Sequence, residues 1–278
     1  MIRHPPDGPI EPGQALAELT WKDVEALDPK GTVLILPVGA LEAHGPHLPL
    51  GTDVVIAEAM ARAGAEKLAE EGILGLRLPS LAYSPAGFAA SFPGTVSLGR
   101  ENYAAQLVQI AASVEAWGLE HLVLANAHFD PGNLGGIYDA LKACEERGLR
   151  RPIFPDVTRK PWALQLTDEF KSGACHAGRY EGSIVLAARP DLVRRELAEE
   201  LPDHPVSLSD AIRAGQRDFR QAGGDQAYFG YPSQATAAEG HETIAVLGEI
   251  LCQAVLQALG SPKASHRQDS SDAPGDEV

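Results

Sequence analysis

The chain has 278 residues, 44% hydrophobic and 22% charged, with three cysteines and a formal net charge of −15. This is the make-up of an ordinary globular protein, and its length suits one large α/β domain better than two small ones. The negative balance argues against nucleic acid, whose phosphates need Lys and Arg, and no run nears the roughly 18 apolar residues of a membrane span.

The opening MIRHPPDGPIEPG lacks the apolar stretch of a signal peptide. Cys144, Cys175 and Cys252 are scattered without CxxC spacing, which fits a reduced compartment. The expectation is a cytoplasmic protein with no membrane partner.

Residues 1–14 are rich in Pro, Gly and charge and read as a flexible arm ahead of a single domain, 15–260. Thr20 and Asp23 have the spacing of a capping box opening a short helix. The apolar, β-branched run 32–37 predicts a buried strand, and a loop holding Glu42, His44, His47 and Asp53 follows at once. Open α/β sheets place ligands at such strand ends. Glu42 and His44 are two apart, so in extended backbone they face one side, roughly 7 Å apart at about 3.3 Å per residue. They can serve different ions of a pair or converge on one. Asp53 precedes a helical pattern, either as a bridging carboxylate or as a helix cap. Carboxylate plus imidazole without thiolate is the ligand set of Zn²⁺, Mn²⁺ or Fe²⁺ in hydrolytic sites.

A helix is predicted over 54–71 and a second strand over 76–81, followed by a long Gly/Pro/Phe loop, 82–98, of the kind usually tied to function. Helix 100–117 and strand 121–126 come next. That strand ends as the first did, with His128 and Asp130 two apart, before a helix running from Gly132 to about Arg147. A fourth strand is predicted over 152–157, then a helix or loop carrying Trp162. The segment 172–183 sets His176 in a small-residue turn and Glu181 ahead of a helix, 183–188. By itself His176 reads equally as structural or catalytic, and Glu181 as an acid favoured by the helix dipole. A charged helix over 190–201, a site-lining Gly-rich loop over 223–240 and an amphipathic helix over 241–259 complete the domain. The polar tail, 261–278, is expected to be disordered. The alternation predicts a mainly parallel sheet with helices on both faces, its site loops gathered at one edge. Without GxGxxG or a P-loop, a non-metal α/β binding domain is disfavoured.

The blocks Gly39 to Asp53, Phe92-Pro-Gly-Thr-Val-Ser-Leu98, Asn126-Ala-His128, His176-Ala-Gly178 with Glu181, and Pro232-Ser-Gln-Ala-Thr-Ala together resemble the creatininase (creatinine amidohydrolase) family over about residues 18–260. The resemblance implies a three-layer α/β/α fold, a homo-oligomer (commonly a hexamer), and two divalent ions per subunit, Zn²⁺ and/or Mn²⁺ with Fe²⁺ also conceivable. It carries the ligand roles onto Glu42, His44, Asp53, His128 and Asp130, with Asp53 bridging. Creatininase itself has Glu where this chain has Asp130, and Ala127 and Arg179 also depart from the usual pattern.

The implied reaction is hydrolysis of a C–N bond other than a peptide bond, in a small cyclic amide, formamide or related compound, through a metal-bridging hydroxide. His176 would pass a proton to the departing nitrogen, Glu181 would orient or share it, and His47 would brace the ligands from behind. Trp162 is the one tryptophan near the segment that covers creatinine in creatininase, which puts creatinine itself in doubt. The alternatives are a metal-bearing binding or assembly protein without turnover and a peptidase-type member acting on a short peptide precursor.

Overall fold

Three parallel strands carry the fold in a computed structural model that describes residues 8–260. The first seven residues of the expected arm and the tail 261–278 lie outside the described residues. The elements in order are α1 (Trp21–Glu25), β1 (Thr32–Val38), α2 (Thr52–Glu70), β2 (Leu74–Arg77), α3 (Arg100–Ala116) and β3 (His121–Asn126). There follow α4 (Pro131–Glu146), α5 (Asp168–Ser172), α6 (Arg179–Ala188), α7 (Arg195–Glu200), α8 (Leu208–Arg213) and α9 (Ala237–Ala258). Sheet order is β2-β1-β3, with Thr32 opposite Leu74 and Val33 opposite His121.

Every residue of β1 is buried, as a central strand covered on both faces requires. Its side chains alternate between two apolar layers. Val33 and Ile35 pack with Ile56 and Met60 of α2, Ile184 of α6 and Leu251 of α9. Leu34, Leu36 and Val38 pack with Tyr103 and Leu107 of α3 and Ile137 of α4. The result is the expected three-layer α/β/α arrangement. Among the described residues no helix is long and apolar enough to cross a membrane.

The capping box at Thr20 and Asp23 forms as read. Several boundaries move. β2 lies earlier than 76–81, because the ladder slips by one residue after Leu78: Leu81 N rather than Ser80 N donates to Pro37 O, and Leu81 makes only a single bridge to Val38. The fourth strand shrinks to one parallel bridge, Ile153 with Val123, between Pro152 and Pro155. The region 190–201 divides into a 3-10 turn, Pro190–Leu192, and α7, separated by extended Val193. α6 starts four residues ahead of expectation, at Arg179, and α9 starts at Ala237 rather than His241. α8 falls where the sequence suggested no element.

Two glycines hold elements together by leaving out a side chain. A Cβ on Gly39 would lie 2.6 Å from Val54 N and 2.7 Å from Asp53 C, so the end of β1 passes directly against the first turn of α2. A Cβ on Gly240 would collide with the Ser183 carbonyl where α9 crosses α6. Helix propensity alone favours Ala over Gly by about 1 kcal/mol. Gly240→Ala should nevertheless lower the unfolding free energy by about 1–3 kcal/mol through overpacking, read from the urea midpoint at constant m value.

Candidate metal centre

Six buried titratable side chains meet at the carboxyl edge of the sheet. Glu42 and His44 come from the loop after β1, and His128 from the turn after β3. Asp53 and Glu181 lie in the first turns of α2 and α6, and His176 stands three residues ahead of α6. A carboxylate in a first turn meets unpaired N–H groups and the positive end of the helix dipole. Glu181 Oε2 accepts the Ala177 N–H at 2.7 Å.

Asp53 occupies the middle. Its Oδ1 is 3.1 Å from His44 Nε2 and its Oδ2 is 3.0 Å from His128 Nδ1. Glu42 Oε1 lies 3.4 Å from His128 Nδ1, and Glu181 Oε2 lies 3.5 Å from His44 Nε2. His176 Nδ1 is 3.8 Å from Glu42 Oε1. Each imidazole is anchored from behind by a backbone carbonyl: His44 Nδ1 on Glu42 O at 3.1 Å, His128 Nε2 on Pro85 O at 2.8 Å, and His176 Nε2 on Ala43 O at 3.0 Å. A carbonyl only accepts, so those nitrogens carry the hydrogen. In the neutral tautomer the inward nitrogens then turn lone pairs toward carboxylate oxygens. Only a proton or a cation between them makes such contacts favourable.

Glu42 Oε2 and Asp53 Oδ2 are buried without a hydrogen-bond partner, although Asp53 Oδ2 has His128 Nδ1 beside it. The ligand-type atoms form the trios Glu42–Asp53–His128 and His44–Asp53–Glu181, and a third grouping joins Glu42, His44 and His176. The first two share Asp53. Oxygen and imidazole donors without thiolate fit Zn²⁺ or Mn²⁺.

The titration shifts express the same crowding. Burial opposes charge on His44, but Asp53, Glu181 and Glu42 outweigh it and raise its pKa to about 10. His128 is likewise raised, burial being overcome by Glu42 and Asp53. Burial pushes Asp53 up, yet the two histidines hold it below the usual carboxylate range. Glu181 is raised to about 8, chiefly by burial, with His44 pulling the other way. His176 is lowered by burial and then by His44. His47 falls to about 4 for the same two reasons.

Asp130 stands outside the trios. Its two oxygens accept from Gly132 N at 2.7 Å and Phe88 N at 3.0 Å, which caps α4 and ties down the 82–98 loop. Asp-Pro-Gly at a helix start is itself a capping signature. His47 is buried away from the trios, its ring edge-on to Tyr228 and its backbone carbonyl accepting from Arg194 N at 2.9 Å. Trp162 packs against the core, while Ala163 reaches the cavity wall.

The cavity over the trios has a volume of about 700 Å³. Phe88 lines it from the 82–98 loop. The other wall comes from 207–213 and Phe219, a region the sequence reading passed over, and not from the 223–240 loop. That loop works from behind, where Phe229 N donates to His176 O at 2.8 Å. The His176 ring lies against both Phe219 and His44, with ring centroids 4.2 and 4.3 Å away and the planes tilted by 35° and 37°.

Residues 17–255 match the model of the creatininase family, described as creatinine amidohydrolase. The chain belongs to the creatininase family. Similar proteins include the mycofactocin precursor peptide peptidase of Mycobacterium tuberculosis (strain ATCC 25618 / H37Rv), 32% identical over 236 residues, 82% of this chain and 86% of that one. The creatinine amidohydrolase of Pseudomonas putida is 32% identical over 201 residues, 68% of this chain and 76% of that one. A crystal structure of creatininase superposes with a TM-score of 0.70 at 27% identity, covering 89% of this chain and 98% of that one. Other solved creatininases include a manganese form, a zinc–zinc form and a complex with creatine. The fold is thus that of a creatininase-family hydrolase.

Asp130→Ala should cost about 1–2 kcal/mol of stability through the lost cap, and Asp130→Asn, which still caps, clearly less, as read by urea denaturation.

Proposed function

We propose that this chain is a hydrolase that uses two divalent ions, zinc or manganese, to cleave a C–N bond of an amide. Glu42, Asp53 and His128 would hold one ion, and His44, Asp53 and Glu181 the other. The observation that supports this most is the position of Asp53, one oxygen toward each histidine. Such ions, when bound, polarise a carbonyl and ionise a water near neutral pH.

The remaining work falls to the chain. The His176 ring is fixed by the Ala43 carbonyl and by tilted ring contacts with His44 and Phe219. Its Nδ1 faces the trios, placed to hold a proton and deliver it to the departing nitrogen. Phe88 and Phe219 keep bulk water from the reacting bond. In this reading Glu181 is a ligand rather than the proton partner expected from the sequence, and Asp130 braces a loop instead of holding an ion.

For the substrate, a small cyclic amide or formamide remains the reading carried over from the resemblance. A second reading is a short peptide, for which a cavity of about 700 Å³ also leaves room. The 32% identity to a peptide peptidase supports that reading, and the 32% identity to a creatinine amidohydrolase supports the first equally. Incubating the zinc- or manganese-loaded chain with creatinine, lactams, formamides and short peptides separates the two. Hydrolysis of none of them, with both ions bound, would support the binding-protein alternative. We also propose assembly as a homo-oligomer, to be read by light scattering.

Asp53→Ala should lose both ions by elemental analysis. His176→Ala should keep both and lose roughly 10²–10⁴ in turnover. Asp130→Ala should keep both ions, and loss of one would restore its ligand role.

A further inference from the structure

Behind the centre lies a carboxylate with no ligand role. Glu169, in the first turn of α5, is 2% exposed and accepts three backbone N–H groups. Arg179 N and Tyr231 N donate to Oε1 at 2.9 and 2.8 Å, and Tyr180 N donates to Oε2 at 2.5 Å. Room for it exists because Gly178 and Gly230 have no side chain. A Cβ on Gly178 would be 2.7 Å from Oε1, and one on Gly230 would collide with it.

Arg179 and Tyr180 are the first two residues of α6, whose own N-cap, Gly178, offers no side-chain acceptor. Glu169 therefore does from another helix what Ser or Asp does at an ordinary N-cap, and brings a negative charge to the positive end of the dipole. The clamped turn carries Glu181. The third donor, Tyr231, lies two residues after Phe229, whose N–H holds the His176 carbonyl. The backbones that aim Glu181 and His176 thus meet on one buried carboxylate.

We infer that Glu169 is a positioning residue, which sets Glu181 beside His44 and Asp53 by clamping the first turn of α6 and residue 231. The inference rests on the two-ion reading above. Glu181 belongs to one trio only, so loosening it should weaken one ion and spare the other.

Cobalt(II) titration of the full metal-free chain, followed by visible absorbance and elemental analysis, tests this. Wild type should take up two ions. Glu169→Gln, which has the same shape but one acceptor fewer and no charge, should bind the first as wild type and the second about 10–100-fold more weakly. Glu169→Asp should recover part of that loss. Leu107→Ala, in the distant α3 layer, should lose thermal stability yet keep both constants.

Wild-type affinity for both ions in the Glu169 variants, at whatever thermal stability, would overturn the inference, as would an equal loss in Leu107→Ala. A wild type that bound no cobalt, zinc or manganese would instead sink the two-ion reading itself. Should neither Glu169 variant fold, hydrogen exchange of the wild type decides. Ion binding must slow exchange at the amides of Arg179, Tyr180 and Tyr231, and unchanged rates there would reject the clamp.

Discussion

Burying charge is expensive, and this site buries a great deal of it. Glu42, Asp53 and Glu181 are shut away from water beside three imidazoles, and an unpaired ion in such a place costs several kcal/mol. Arg and Lys are absent from the trios, so the balance must come from protons or from metal. Protons satisfy the cluster by charging His44 and His128 against burial, or by neutralising Glu181. Two divalent ions would more than neutralise three carboxylates, leaving positive charge where an amide oxygen becomes anionic in the transition state.

The fold makes that concentration of charge tolerable. Strand ends deliver Glu42, His44 and His128, while helix starts deliver Asp53 and Glu181 to the positive ends of α2 and α6. The backbone carbonyls of Glu42, Pro85 and Ala43 fix which nitrogen of each histidine faces inward. Orientation is thereby settled before any ligand arrives, because carbonyls and helix ends cannot rearrange without unpacking the two apolar layers beneath them.

How much of this could be read in advance follows from how local each signal is. The loops after β1 and β3 announced themselves because an apolar run passed directly into acids and histidines. Glu181 was singled out but given another task. The family pattern carried a ligand role onto Asp130, whose spacing from His128 also copies that of Glu42 and His44. In the structure Asp130 caps α4 through Gly132 N and also lines the cavity beside His128. What moved Glu181 into the cluster was the early start of α6, which depends on Glu169, ten residues before Arg179 in sequence and invisible to any periodicity. Pro152 and Pro155 were present in the sequence, yet their effect on the sheet needed the neighbouring strands to be known. The 202–222 segment has no strong pattern because it folds around the cavity rather than into the core.

That last segment has a consequence of its own. The groups suited to reaction chemistry are rooted in the sheet and its helices, whereas Phe219 and the short α8 reach the cavity from a stretch attached mainly through its own small aromatic cluster with Phe88 and Phe229. Such a division lets a lineage redraw what it accepts by editing one peripheral stretch while the inherited reaction core is left untouched. A single scaffold could in this way serve both a compact ring and an extended chain.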